Sequence, residues 1–102
     1  MLHHGTRRFR GAKKRLSKFS DYGLRMLLLA ASAPGRNITI RDAAETYGIS
    51  QAHLKKVVLY LAREGYLASE RGHGGGFTLA IPATDIKLGE LIRKTETDFA
   101  LL

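Results

Sequence analysis

The stretch Tyr47-Gly48-Ile49-Ser50-Gln51-Ala52-His53-Leu54-Lys55-Lys56-Val57-Val58 decides how the rest of the chain is read. Upstream of it, Ile40, Ala43, Ala44 and Tyr47 keep helical spacing, with Thr39 as N-cap and Asp42 at the capping-box position. Gly48 stops that helix, Gly48-Ile49-Ser50 makes a tight turn, and Ser50 caps a further helix expected to run to about Glu64. The apolar face of this helix is Leu54, Val57, Val58 and Leu61; Ser50, Gln51, Ala52, His53, Lys55 and Lys56 lie off it, in the first two turns. Two short helices joined by a tight glycine turn let the second one enter a DNA major groove. Gln can pair bidentately with adenine, Lys can reach guanine acceptors, and a helix N-terminus favours phosphate. The competing reading is a solvated polar face on an ordinary core helix.

Working outward, a first helix is expected over about 20–33. Ser20 serves as its N-cap, Phe19 and Leu24 as a hydrophobic staple, and Leu24, Leu27, Leu28 and Ala31 as its apolar face, before Ala33-Pro34-Gly35 ends it. Asn37-Ile38-Thr39 is short and β-branched. After Gly65 the period changes from 3.6 to 2. Tyr66–Glu70 reads as a strand, residues 71–76 as a loop, and Phe77–Ile81 as a returning strand with Phe77, Leu79 and Ile81 on one side. A last short helix carries Leu88, Leu91 and Ile92 to about Thr95. This order predicts an α+β fold, mainly α: a winged helix-turn-helix with a two-stranded wing.

The wing loop, Arg71-Gly72-His73-Gly74-Gly75-Gly76, puts a guanidinium and an imidazole on a thin strip of backbone. Arg inserted into a narrow minor groove is a common way to read DNA shape. A nucleotide-phosphate loop needs Gly-Lys-Ser/Thr leading into a helix, whereas this loop leads into Phe77-Thr78-Leu79. A flexible hairpin tip is the plain alternative for the glycines.

Composition sets the outer bounds. With 102 residues, 44% apolar and 25% charged, one globular domain is expected. There is no cysteine, so disulfides, cysteine nucleophiles and thiolate-held metals are excluded in these 102 residues. The longest apolar stretch, Met26 to Ala31, falls far short of the roughly 20 residues that span a bilayer. No membrane partner is expected, and without a signal-peptide core a cytoplasmic location is. The net charge is +8, but residues 1–18 hold seven basic side chains and no acid, while residues 19–102 hold ten basic against nine acidic. Residues 1–14 are accordingly expected to be a disordered basic arm, and 15–102 the winged helix-turn-helix DNA-binding domain. His53 and His73 have no acid at ligand spacing, Asp21 and Glu70 read as surface acids, and no nucleophile–base pair presents itself. The chain is not expected to be an enzyme.

The chain carries, in this order, Leu16-Ser17-Lys18-Phe19-Ser20-Asp21-Tyr22-Gly23-Leu24-Arg25, Tyr47-Gly48-Ile49-Ser50, His53-Leu54-x-Lys56-Val57-Val58, Gly65-Tyr66-Leu67, Arg71-Gly72-x-Gly74-Gly75-Gly76, Leu79-Ala80-x-Pro82 and Leu88-Gly89-Glu90-Leu91-Ile92-Arg93. Together these segments resemble the NsrR/IscR (Rrf-type) family of bacterial winged-helix transcription regulators. The start Ser20-Asp21-Tyr22-Gly23-Leu24-Arg25 and the end Glu96-x-Asp98-Phe99-Ala100-Leu101 look most like the nitric-oxide-sensing NsrR branch.

The resemblance implies a homodimeric repressor on double-stranded DNA bearing a palindromic operator, with the recognition helix in the major groove and the wing in the minor groove. By position, the DNA contacts fall on Ser50, Gln51, His53, Lys55 and Lys56, on Arg71 and His73 of the wing, and on Lys18, Ser20, Tyr22 and Arg25 near phosphate. Relatives continue past the position of Leu102 into a three-cysteine loop and a long dimerisation helix, so an iron–sulfur cluster is expected in full-length relatives and no cofactor in these residues. Asp21 occupies the place of an acid that can join that cluster, and would act as a ligand only with a cysteine loop in a longer chain. A fragment and a truncated paralogue both fit this end. Two other functions remain open at this point, a winged-helix protein-docking module and a non-specific nucleic-acid binder driven by the arm.

Overall fold

A computed structural model describes residues 16–70 and 75–101; the expected arm at 1–14 and the wing-tip residues Arg71 and His73 lie outside the described residues. Helix α1 spans Lys18–Ser32, α2 Ile40–Tyr47 and α3 Gln51–Arg63, followed by strands β1 (Leu67–Ser69) and β2 (Phe77–Leu79), a 3-10 turn at Ala83–Asp85, and helix α4 (Leu88–Leu101). The predicted order of elements holds, and the fold is a mainly helical winged helix-turn-helix.

Each helix start has a local cause. Thr39 and Ser50 sit in extended conformation, and their hydroxyls accept from the N–H of Asp42 and His53 at 3.0 and 3.1 Å. At α1 the cap is Ser17, whose Oγ accepts from Ser20 N at 3.1 Å, so the expected cap at Ser20 is corrected. Ser20 instead sits inside the first turn, 1% exposed. Helix α2 ends on Gly48 at φ 66°, in the left-handed region that glycine enters without Cβ strain. Helix α3 ends with Gly65 N donating to Ala62 O and Tyr66 N to Leu61 O, the paired bonds of a Schellman stop.

Strands β1 and β2 pair antiparallel, Leu67 opposite Leu79 and Ser69 opposite Phe77. Both are shorter than the sequence suggests. A third segment joins on the far side of β2: Ile38 and Phe77 exchange both backbone hydrogen bonds at 2.9 Å. The short β-branched run before α2 thus anchors the base of the wing.

The core is built from Met26, Leu27 and Ala30 of α1, Ala43 of α2, Leu54, Val57, Val58 and Leu61 of α3, Leu67, Phe77 and Leu91. The apolar face expected for α3 is buried as read. That of α1 is displaced: Met26 and Ala30 are buried while Leu28 is 67% exposed. Leu24, Leu27, Leu28 and Ala31 line a shallow groove with Ala83, Ile86 and Leu88. Helix α4 also runs past the expected end near Thr95, and it buries Thr95 as well as Leu91.

Candidate nucleic-acid interface

The exposed side of α3 carries the expected groove-facing set. Ser50, Gln51, Ala52, His53, Lys55 and Lys56 are all exposed, while Leu54, Val57, Val58 and Leu61 turn inward and fix the helix to α1, α2 and β1. No acid occurs between Ser50 and Arg63. A positive, acid-free surface at a helix N-terminus attracts phosphate through both its side chains and its backbone N–H groups.

The first turn of α1 meets this surface. Lys18, Phe19 and Tyr22 line a cleft of about 270 Å³ with His53, Lys56 and Val57. The Tyr22 and His53 rings are 6.4 Å apart, and Phe19 packs edge-on against Tyr60 at 5.0 Å. Lys18, Tyr22, His53 and Lys56, singled out separately in the sequence, are therefore neighbours in space.

Two residues expected near phosphate are placed differently. The Ser20 hydroxyl contacts Thr95 Oγ1 at 2.5 Å and also donates to the Glu96 carboxylate. At 1% exposure it is an interior hydroxyl with no access to DNA, because burial of a polar group demands that its hydrogen bonds be met inside. Arg25 is half-buried; its Nε lies 3.0 Å from Asp21 Oδ1 and its guanidinium 5.4 Å from the Tyr47 ring centroid. The hydrogen bond and charge of Asp21 raise the Arg25 pKa above the ordinary guanidinium value, so Arg25 stays cationic. The i,i+4 spacing of Asp21 and Arg25 was the sequence signal for this pair.

The wing tip lies outside the described residues, but its base is defined. Asn37 Nδ2 donates to Gly75 O at 3.3 Å, and Gly76, at φ 129°, presses against the chain there. A Cβ on Gly76 would stand 2.5 Å from Asn37 Nδ2 and 2.7 Å from Ile38 O, so only glycine fits this crossing.

A protein-family model described as "Rrf2: Iron-dependent Transcriptional regulator" matches residues 16–102. The chain belongs to the Rrf2 family. It is 46% identical over 89 residues to the HTH-type transcriptional regulator NsrR of Bacillus subtilis, a match covering 86% of this chain and 61% of that protein. Among solved structures it resembles oxidized CymR of Staphylococcus aureus (TM-score 0.75, 32% identity, 82% of this chain and 68% of that one). It also resembles IscR of T. potens (TM-score 0.69, 31% identity, 78% and 59%). The chain thus spans about three fifths of the curated relative's length. The relatives named here are regulators rather than enzymes.

Members of this family raise the question of an iron–sulfur group. The residue the resemblance offers is Asp21, whose carboxylate is already engaged by Arg25. Among the described residues no three His, Cys, Asp or Glu side chains converge to hold a metal, and the 102 residues contain no cysteine. The residues present do not by themselves fit a cluster.

Proposed function

We propose that this Rrf2-family chain is a sequence-specific DNA-binding repressor that works as a homodimer on a palindromic operator. The observation that carries the reading is the α3 surface, where Gln51, His53, Lys55 and Lys56 are exposed and acid-free while the opposite face is locked into the core. In this reading Ser50, Gln51, His53, Lys55 and Lys56 enter the major groove, and Arg71 and His73 enter the minor groove. Lys18 and Tyr22 meet backbone phosphate, and Arg25 can do so only after leaving Asp21. Residues 1–14 form a basic arm that adds phosphate attraction felt by any duplex. The nitric oxide response implied by the NsrR likeness, and a cytoplasmic location, belong to the same proposal. No helix among the described residues is long and apolar enough to cross a membrane.

The test is duplex selection from a random pool at about 0.15 M salt, with the whole chain and with residues 1–14 removed. Enrichment of a palindrome that survives arm removal supports the reading. Binding without enrichment that vanishes with the arm overturns it in favour of a non-specific binder. No duplex binding at all leaves a protein-docking module.

A further inference from the structure

We infer that Asn37, in the connector between α1 and α2, is a positioning residue for the wing: its side-chain amide sets the direction in which the wing leaves the fold. This rests on the DNA-binding reading above and deepens it. The connector reaches the wing through two consecutive residues. Ile38 exchanges two backbone hydrogen bonds of 2.9 Å with Phe77, and Asn37 Nδ2 donates to Gly75 O at 3.3 Å. From the β1 side, Glu70 N donates to Gly76 O at 2.8 Å. The carbonyls of Gly75 and Gly76, beside the wing tip, are therefore taken from the two flanks of the returning chain, one by Asn37 and one by the end of β1.

The backbone alone leaves this junction soft. Gly75 and Gly76 have φ of 67° and 129°, and a residue without Cβ enters and leaves such conformations freely. The Ile38–Phe77 pair anchors the base behind Gly76 but does not reach Gly75. A Cβ on Gly75 would meet nothing within 4 Å, so packing on that side does not hold this residue. A Cβ on Gly76 would stand 2.5 Å from Asn37 Nδ2 and 2.7 Å from its Oδ1, so the amide lies directly across the chain. A planar amide laid over one glycine and hydrogen-bonded to the carbonyl before it restrains rotation where glycine would let the wing swing.

The same residue refers the wing to the reading helix. Thr39, two residues on, caps α2, and α2 packs against α3. At the far end of α3, Tyr66 N is held by Leu61 O just before β1 begins. The wing is thus set against α3 from the start of α2 and from the end of α3 itself. Arg71 follows Glu70 directly and His73 lies two residues before Gly75 in the sequence, so the side chains proposed for the minor groove adjoin the gripped pair. Asn37 acts through them and touches no DNA in this account.

The experiment titrates the duplex enriched in the selection above with the whole chain and four variants of it. These are Asn37→Ala, Asn37→Asp, the pair Arg71→Ala with His73→Ala, and that pair combined with Asn37→Ala. Asn37→Ala is expected to weaken binding about fivefold, the scale of one neutral hydrogen bond. In the chain already lacking Arg71 and His73 it should cost nothing further. Repeating the selection with Asn37→Ala should blur the base-pair positions that the Arg71→Ala, His73→Ala pair blurs, and leave those read by α3 as they were. A general loss of stability would lower affinity without this pattern. Asn37→Asp keeps the shape but offers no N–H, and should blur the same positions. An equal Asn37→Ala loss with and without Arg71 and His73 would make Asn37 a DNA contact or a plain stabiliser, and overturns the inference. Unchanged preference at the wing positions in either Asn37 variant overturns it too. A chain that enriches no duplex fails the DNA-binding reading itself, and the inference with it. One that enriches a duplex but shows no coupling between Asn37 and the wing pair fails only the positioning role.

Discussion

The Glu96 carboxylate accepts hydrogen bonds from both the backbone N–H and the hydroxyl of Ser17, at 3.2 and 2.8 Å, across 79 residues of chain. A carboxylate from the last helix thereby serves the N-terminus of the first, where unpaired N–H groups and the positive end of the helix dipole favour an anion. The Ser20 hydroxyl bonds to the same carboxylate and to Thr95, so the joint is a polar cluster rather than a single contact.

Glu96→Ala strips three donors of their acceptor at once. Hydrogen bonds to charged groups contribute about 1.5–3 kcal/mol, and a loss in that range is expected in urea unfolding. A loss below about 0.5 kcal/mol, the usual range for neutral surface changes, would show that the cluster contributes nothing to stability.

Gly75 and Gly76 separate backbone strain from collision. Both have positive φ, but a Cβ at Gly75 meets nothing within 4 Å, whereas one at Gly76 runs into Asn37 and Ile38 O. Gly75→Ala should cost about 1 kcal/mol and Gly76→Ala at least about 2 kcal/mol, measured by thermal melting. Equal costs would contradict the packing at the wing base.

Asp21→Asn tests what holds Arg25. Both side chains are more than two fifths exposed, so stability should shift by no more than about 0.5 kcal/mol. Binding to random duplex should tighten, and the log–log salt slope should steepen by up to about 0.9 as Arg25 becomes available to a phosphate. An unchanged slope would mean that Tyr47 alone retains the guanidinium.

Lys55→Ala removes a proposed base contact from an exposed position. It should cost about 1–3 kcal/mol on the selected duplex and far less on random DNA, compared by competition titration. Equal losses on both would place Lys55 on phosphate instead.

The helix-turn-helix was legible because its signals are local. Thr39 and Ser50 cap within three residues, Gly48 turns within one, and Leu54, Val57, Val58 and Leu61 repeat on one face. The start of α1 was not, because Ser17 and Ser20 are both good caps three residues apart. The choice between them is made by Thr95 and Glu96, which local pattern cannot bring near. The same non-local contact explains the misplacement of Ser20 at the phosphate side and the unanticipated length of α4 through a polar Thr-Glu-Thr run. The apolar spacing of Leu24, Leu27, Leu28 and Ala31 was real, but only part of that stripe meets the core; the rest borders the groove beside Leu88.

Three consecutive residues of α4 hold two other helices. Lys94 Nζ reaches Glu64 Oε1 at the end of α3 at 2.7 Å, Thr95 meets Ser20, and Glu96 meets Ser17. Thr95 and Glu96 meet one cluster at the start of α1, through Ser20 and Ser17, while Lys94 reaches a different element. Turning such a helix about its own axis strains the tie to α3 and the cluster at the start of α1 together. A rotation applied toward Leu101 therefore bears on the end of α3 through Lys94 and on the head of α1 through Thr95 and Glu96.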